Sequence, residues 1–235
     1  MLLSVSGAGL LAWSGIQPHD RLTWLLEVLP VLIGGALLLA TYRRFRFSHL
    51  TYALIWAHAI LLMIGGHWTY ARNPPFGLLQ DALDLPRNYY DRLGHIAQGF
   101  IPAMIVRELL LRTSPLRPGK WLTVLVLCAC LAVSAGYEFF EWWSALALGE
   151  SADQFLATQG DVWDTQWDML LCLVGAAAAL MLLSRAHDRS LAGRGMGRRA
   201  RRMWFLAGLA LVVAAIVVSH AIQPAAGTPG SGAGP

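Results

Sequence analysis

Three polar triplets hold most of the chemistry this chain can perform: Asp91, His95 and Gln98; Ser134, Glu138 and Glu141; and Asp161, Asp164 and Asp168. Members of each recur at i, i+4, i+7 or i, i+3, i+7, a spacing that puts them on one narrow helix face. Two carboxylates about 4 Å apart repel by roughly 4 kcal/mol at an effective dielectric near 20. Six of them around one cavity therefore need a compensating charge. Three sources are available: a divalent cation, the guanidinium groups of Arg87 and Arg92, or protons taken up by the acids themselves. One neutral imidazole with several carboxylates is an adequate ligand set for Mg²⁺, Mn²⁺ or Zn²⁺, and the excess of hard oxygen favours the first two. The expected ligands are Asp91, His95, Glu138, Glu141, Asp161, Asp164 and Asp168, with His95, Asp164 and Glu138 the candidates for catalysis.

Ordinary structural roles compete for the same residues. Asp161 beside a helix start can simply cap it, and Glu138 and Glu141 can clamp helices through Arg87 or Arg92. A lone buried histidine is more often a packed core residue than a ligand; Asp91 one turn before His95 argues for function. Asp168 lies too far inside its segment to be a cap. Glu27 and His67 approach the same surface and rank second.

The elements that must position these groups are apolar. Hydrophobic residues make up 56% of the 235 residues and charged ones 14%, against about 25% charged in an average soluble domain. Apolar runs centred on 22–42, 50–66, 92–111, 121–143, 165–184 and 203–222 each approach the roughly 20 residues that cross a bilayer core. A shorter one, Met1 to Ile16, lacks the basic start of a signal peptide and is expected to form a short first helix. The expected fold is an all-α, polytopic membrane bundle of six to seven helices over residues 1–222, followed by a disordered Gly/Pro/Ser tail at 223–235.

Arginine and lysine set the expected orientation. Arg43, Arg44 and Arg46, then Arg112, Arg117 and Lys120, then Arg185, Arg189 and the run Arg194 to Arg202 follow alternate spans. These loops are expected to be cytoplasmic, with the N-terminus inside and all three triplets near the outer leaflet. The pI of about 9.3 reflects these loops lying against anionic headgroups, and no nucleic-acid partner is expected. Below the triplets the spans read Met104-Ile-Val, Leu125-Val-Leu and Leu170-Leu-Cys, so the inner halves are expected to be apolar. Cys128, Cys130 and Cys172 fall in mid-span and read as packing residues. Tyr70, Tyr89, Tyr90, Trp142, Trp143, Trp163 and Trp167 suit an interfacial aromatic belt.

Several longer stretches resemble the YjdF-type bacterial inner-membrane proteins, a family without an established activity: Pro18 to Glu27, Gly65 to Ala71, Arg87 to His95 through Phe100, Tyr137 to Trp143, and Phe155 to Met169. Trp68 stands where that pattern would have Tyr. The resemblance covers roughly residues 15–185 and implies a multi-pass inner-membrane protein. A more distant similarity is to VanZ-like membrane proteins, in an Asp-basic-x-x-His helix start (Asp91 to His95), a Glu near the next helix end, and an acidic helix start before Gly175-Ala-Ala-Ala-Ala. Glu141 and Asp168 replace the Gln and Asn of that pattern.

Three functions fit these residues. The first is an intramembrane metal-dependent hydrolase or transferase acting on a lipid or lipid-linked substrate at the outer leaflet. The second is an ion or proton transporter, and the third a non-catalytic factor binding envelope lipid or a partner. There is no P-loop, Gly-x-Ser-x-Gly, haem motif or dinucleotide fingerprint, so no nucleotide or haem cofactor is expected.

Overall fold

The structure is a computed structural model that describes residues 2–148 and 153–193. The expected span at 203–222, the arginine run from Arg194 and the tail at 223–235 lie outside the described residues. The described residues form helices α1 (Leu2–Ser14), α2 (Arg21–Thr41), α3 (His49–Trp68), α4 (Pro74–Leu83), α5 (Tyr90–Thr113), α6 (Lys120–Leu148), α7 (Asp153–Leu156) and α8 (Asp164–Leu191), with a single 3-10 turn at Tyr70–Arg72. Four of these, α2, α3, α6 and α8, are long and apolar enough to cross a membrane. The protein is thus a polytopic helical membrane protein. At 24 residues α5 is also long enough, but Asp91, Arg92, Arg107 and Glu108 sit near its ends, where neighbouring helices answer them. The first helix, of 13 residues, spans only about 20 Å, short of the roughly 30 Å core.

Polar side chains fix where helices begin. The Asp20 carboxylate accepts from the Thr23 N–H at 2.7 Å and caps α2; that bond holds the Asp20 carboxyl below the usual carboxylate range. Ser48 caps α3 through the Thr51 N–H at 3.3 Å, while Pro74 and Pro75 open α4 with φ already helical.

A central pair, α5 and α8, carries the bundle; α6 packs on both, α3 on α5, and α1 and α2 on α3. The pair crosses at two glycines. A Cβ on Gly99 would overlap the Cys172 carbonyl, and one on Gly175 would overlap the Ile96 carbonyl. Without side chains there, the two backbones touch, the arrangement by which small residues associate helices in lipid. Around this crossing Ala97, Ile101, Met104, Val126, Cys130, Cys172, Ala176 and Ala179 form the core. Cys128, Cys130 and Cys172 are free thiols, two of them buried in or beside that core.

The chain ends of the helices sort into an acidic end (starts of α5 and α8, finish of α6) and a basic end. The apolar reading of the basic half is incomplete, because a second polar cluster is buried there. Glu108 accepts from the Ser48 N–H and from Arg112 at 2.8 Å each through Oε1, and from Thr51 Oγ1 at 2.6 Å and His187 Nε2 at 3.1 Å through Oε2. Arg107 donates to His187 Nδ1 at 2.8 Å and pairs with Asp188 at 2.8 Å. Because arginine can only donate, Nδ1 must accept and Nε2 must carry the proton. Every member has a partner, so this is a finished clamp joining α3, α5 and α8.

Both joints are open to test by thermal unfolding in detergent. Gly99→Val is expected to destabilise by about 1–3 kcal/mol or more through overpacking, while Gly136→Ala on α6, which faces open space, leaves the melting point near wild type. Glu108→Ala is expected to cost about 1–3 kcal/mol or more, since it leaves the buried Thr51 hydroxyl and His187 Nε2–H without their acceptor.

Candidate metal centre at the acidic end

The loops leading into α5 and α8 are tied together before the helices begin. Gln159 accepts from the Asn88 N–H at 2.9 Å and donates to the Asn88 carbonyl at 3.0 Å. Asn88 in turn donates to the Asn73 carbonyl and accepts from the Tyr90 N–H. Ala157 and Gln159 adopt φ of 49° and 51°, conformations that are unfavourable for non-glycine residues and persist only where the surroundings enforce them. The Ala157 carbonyl is thereby presented to Arg87 at 3.2 Å.

Two buried arginines then gather the aspartates. Arg87 contacts Asp164 at 2.8 Å and Asp91 and Asp161 at 3.4 Å. Arg92 reaches Asp164 at 2.7 Å, Asp161 at 2.9 Å and also Asp168. Asp161 serves a further role: its Oδ1 accepts from the Trp163 N–H at 2.9 Å, shaping the turn into α8. Asp161 and Asp164 are therefore occupied mainly by guanidinium groups. Of the sequence triplet only Asp164 and Asp168 lie on α8, Asp161 falling in the turn before it, and Asp161 and Asp164 face Arg87 and Arg92 rather than a free cavity.

His95 stands at the point where the remaining groups converge. Its Nδ1 donates to Gln98 Oε1 at 3.1 Å, so in the neutral ring Nε2 presents a lone pair. That nitrogen faces Asp91 Oδ1 at 3.4 Å and Asp168 Oδ1 at 3.7 Å. One ligand atom from each of Asp91, His95 and Asp168 lies within 4.8 Å of the others, and all three residues are buried. Arg87 holds Asp91 and Arg92 holds Asp168 Oδ1 from the far side, but a neutral His95 lone pair aimed at these two carboxylates has no donor between, so either a cation or a proton on Nε2 must bridge them. The donor set suits a divalent cation, with Gln98 orienting the imidazole as outer-shell partners of metal-bound histidines do. Glu138 lies on the other side of the ring, its Oε1 4.0 Å from Nδ1, buried and without a hydrogen-bond partner.

The other expected ligands fall outside this trio. Glu141 shares the α6 face with Glu138 but belongs to no three-residue set of converging ligand atoms among the described residues. Ser134 lies deeper, its hydroxyl buried beside Cys172. Glu27 is 2% exposed, close to Tyr70 and within electrostatic reach of Asp91 and His95. His67 is instead used structurally, donating through Nδ1 to the Ser14 carbonyl at 3.0 Å and stacking on Trp13. Of the residues expected in an aromatic belt, Trp142, Trp143, Trp163 and Trp167 are exposed and Tyr89 is partly so, whereas Tyr70 and Tyr90 are buried and pack on each other. The residues that sequence reading passed over are Arg107, Glu108, His187 and Asp188. Opposite charges close to each other at the ends of two apolar segments were the available signal.

Arg92 and Asp164 offer a direct test of the clamp. Arg92→Ala is expected to lower stability by about 3–5 kcal/mol, and Asp164→Asn to do so by less, because Arg92 keeps Asp161 and Asp168. The double variant is expected to be less destabilised than the two single effects summed, which a double-mutant cycle of unfolding free energies reads directly.

Comparison with known proteins agrees with this architecture. The family model described as "Predicted membrane protein (DUF2238)" matches residues 1–189, which include every element that builds the site. The inner membrane protein YjdF of Escherichia coli (strain K12) is 52% identical over 182 residues, covering 77% of this chain and 87% of that protein. No solved structure matches the chain. With a family model over most of its length and a relative at this identity, the chain belongs to the DUF2238 family of membrane proteins.

Proposed function

We propose that this protein is an inner-membrane, metal-dependent hydrolase or transferase that acts on a lipid or lipid-linked substrate at the outer leaflet. The observation that carries the reading is the His95 nitrogen aimed between the carboxylates of Asp91 and Asp168 at 3.4 and 3.7 Å. Asp91, His95 and Asp168 would hold a divalent cation, Mg²⁺, Mn²⁺ or Zn²⁺, which when bound supplies a Lewis acid and an acidified water. Gln98 fixes the imidazole. Glu138, buried with a free carboxylate oxygen, is placed to take a proton, the role of general base. Arg87 and Arg92 hold Asp161 and Asp164 against α5 and keep the trio in register, so Asp164 acts as a positioning residue in this reading.

Orientation follows from the arginines of the basic end. Arg43, Arg44, Arg46, Arg112, Arg117, Lys120, Arg185 and Arg189 all fall in or beside the loops opposite the site, a charge bias that supports a cytoplasmic basic end with the site at the outer leaflet. Exposed Trp142, Trp143, Trp163 and Trp167 flank it at the depth of headgroups. The Glu108–His187 clamp argues against a transporter, because the opposite end of the α5–α8 pair is filled by satisfied hydrogen bonds and, among the described residues, offers no buried unpartnered acid to pass a cation onward.

Manganese titration of the purified protein, read by thermal shift with and without EDTA, tests the centre. Wild type is expected to bind one equivalent and melt higher with metal, whereas His95→Ala and Asp168→Asn lose the metal-dependent shift. No shift in wild type would assign the positive charge to a protonated imidazole and remove the hydrolase reading. Orientation is checked separately by alkaline-phosphatase fusions, expected to be active after Asp153 and inactive after Leu191.

A further inference from the structure

The carboxylates of the acidic end divide by residue type. Asp91, Asp161, Asp164 and Asp168 each lie within ion-pair distance of Arg87 or Arg92. Glu27 on α2 and Glu138 and Glu141 on α6 do not. Among the described residues no arginine or lysine pairs with any of the three; their titratable neighbours are His95, at 4.0 Å from Glu138, and Tyr70, hydrogen-bonded to Glu27. Glu138 Oε1 and Glu27 Oε2 are buried without a hydrogen-bond partner, in side chains whose residues are 7% and 2% exposed. Thr165 beside Glu138 and Tyr70 beside Glu27 offer neutral hydroxyls, so a charge on these carboxylates would be met by no guanidinium or ammonium group among the described residues. Tyr137 stands among them, within electrostatic reach of Glu27, Glu141, Asp91 and Glu138, with its ring 6.5 Å from that of His95.

The missing cation has a size. Ligand oxygens around a small divalent ion lie about 2.0–2.6 Å from it, so three of them must converge within about 5 Å. Among the described residues only Asp91, His95 and Asp168 do. Three glutamates that stay further apart, beside an aromatic face, match a larger cation that offers several N–H donors and is attracted to a ring.

We propose that Glu141, Glu27 and Tyr137 form a subsite for the ammonium group of an amine-bearing lipid headgroup, with Glu138, the general base of the neighbouring centre, at its edge toward His95. The assignment rests on the reading of the neighbouring centre as acting on a lipid at the outer leaflet, and it names the substrate class. Location supports it: the α6 turn that carries Glu138 and Glu141 also carries exposed Phe139, Trp142 and Trp143, side chains that sit at headgroup depth. A headgroup entering there would place its ammonium against the glutamates and its phosphate toward His95, between the glutamates and the proposed metal ligands.

The full chain in detergent is titrated with three probes: short-chain phosphatidylethanolamine, short-chain phosphatidylglycerol and Mn²⁺ alone. Binding is read by tryptophan fluorescence and thermal shift for wild type, Glu141→Gln, Glu138→Gln and Asp168→Asn. Wild type is expected to bind the amine lipid about tenfold more tightly than the glycerol lipid, the worth of a charged hydrogen bond. Glu141→Gln is expected to lose that preference while binding Mn²⁺ as wild type does, which also shows that it folds. Asp168→Asn is expected to lose Mn²⁺ and keep the preference. Equal affinity of wild type for the two lipids, or an undiminished preference in both glutamate variants, overturns the subsite. A lipid preference without Mn²⁺ binding supports the subsite and overturns the metal centre instead.

Discussion

The close backbone contact between α5 and α8 is the constraint on which the remaining structure depends. Gly99 and Gly175 let the two helices meet at their carbonyls, and that single crossing fixes their register over the whole span. With the register set, Arg92 meets Asp164 and Asp168 at one end, and Arg107 meets His187 and Asp188 at the other. Neither cluster survives a shift of one turn, about 5.4 Å, because the pairs would no longer face each other. In lipid, where burying apolar surface gains little between helices, close packing and polar bonds carry the association. This explains why α5, the most polar long helix, is also the central one.

The two ends use the same chemical parts to different effect. At the basic end Glu108, His187, Thr51, Arg107 and Arg112 are fully partnered, and the tautomer of His187 follows from its neighbours. At the acidic end the bonds divide. Arg87 and Arg92 bind four aspartates at once, but His95 Nε2 faces two carboxylates at longer range, and Glu138 and Glu27 keep buried oxygens without partners. A finished cluster stabilises. An unfinished one in a membrane interior is expensive to maintain, which is the ground for proposing that something binds there.

Much of this was legible in the sequence because helical periodicity and hydropathy act locally. The segments 22–42, 50–66, 92–111, 121–143 and 165–184 correspond to α2, α3, α5, α6 and α8, and the spacing of Asp91, His95 and Gln98 correctly gives one face, on which Gln98 bonds to His95. Partner choice was not legible. Arg87 and Arg92 were recognised as compensating charges, yet whether they would serve the aspartates of α8 or the glutamates of α6 depends on which helix lies against α5. The buried cluster around Glu108 was missed for a related reason. Its members lie at the ends of apolar runs, where charged residues ordinarily reach the headgroups, and only the packing of α3, α5 and α8 encloses them.

The central claim is that a cation belongs between His95 and its two aspartates. Anomalous diffraction from crystals grown with Mn²⁺ tests it most directly. The account predicts a single anomalous peak bounded by His95 Nε2, Asp91 Oδ1 and Asp168 Oδ1, absent in His95→Ala crystals. A well-ordered site with no anomalous peak, and His95 hydrogen-bonded directly to both carboxylates, would contradict it.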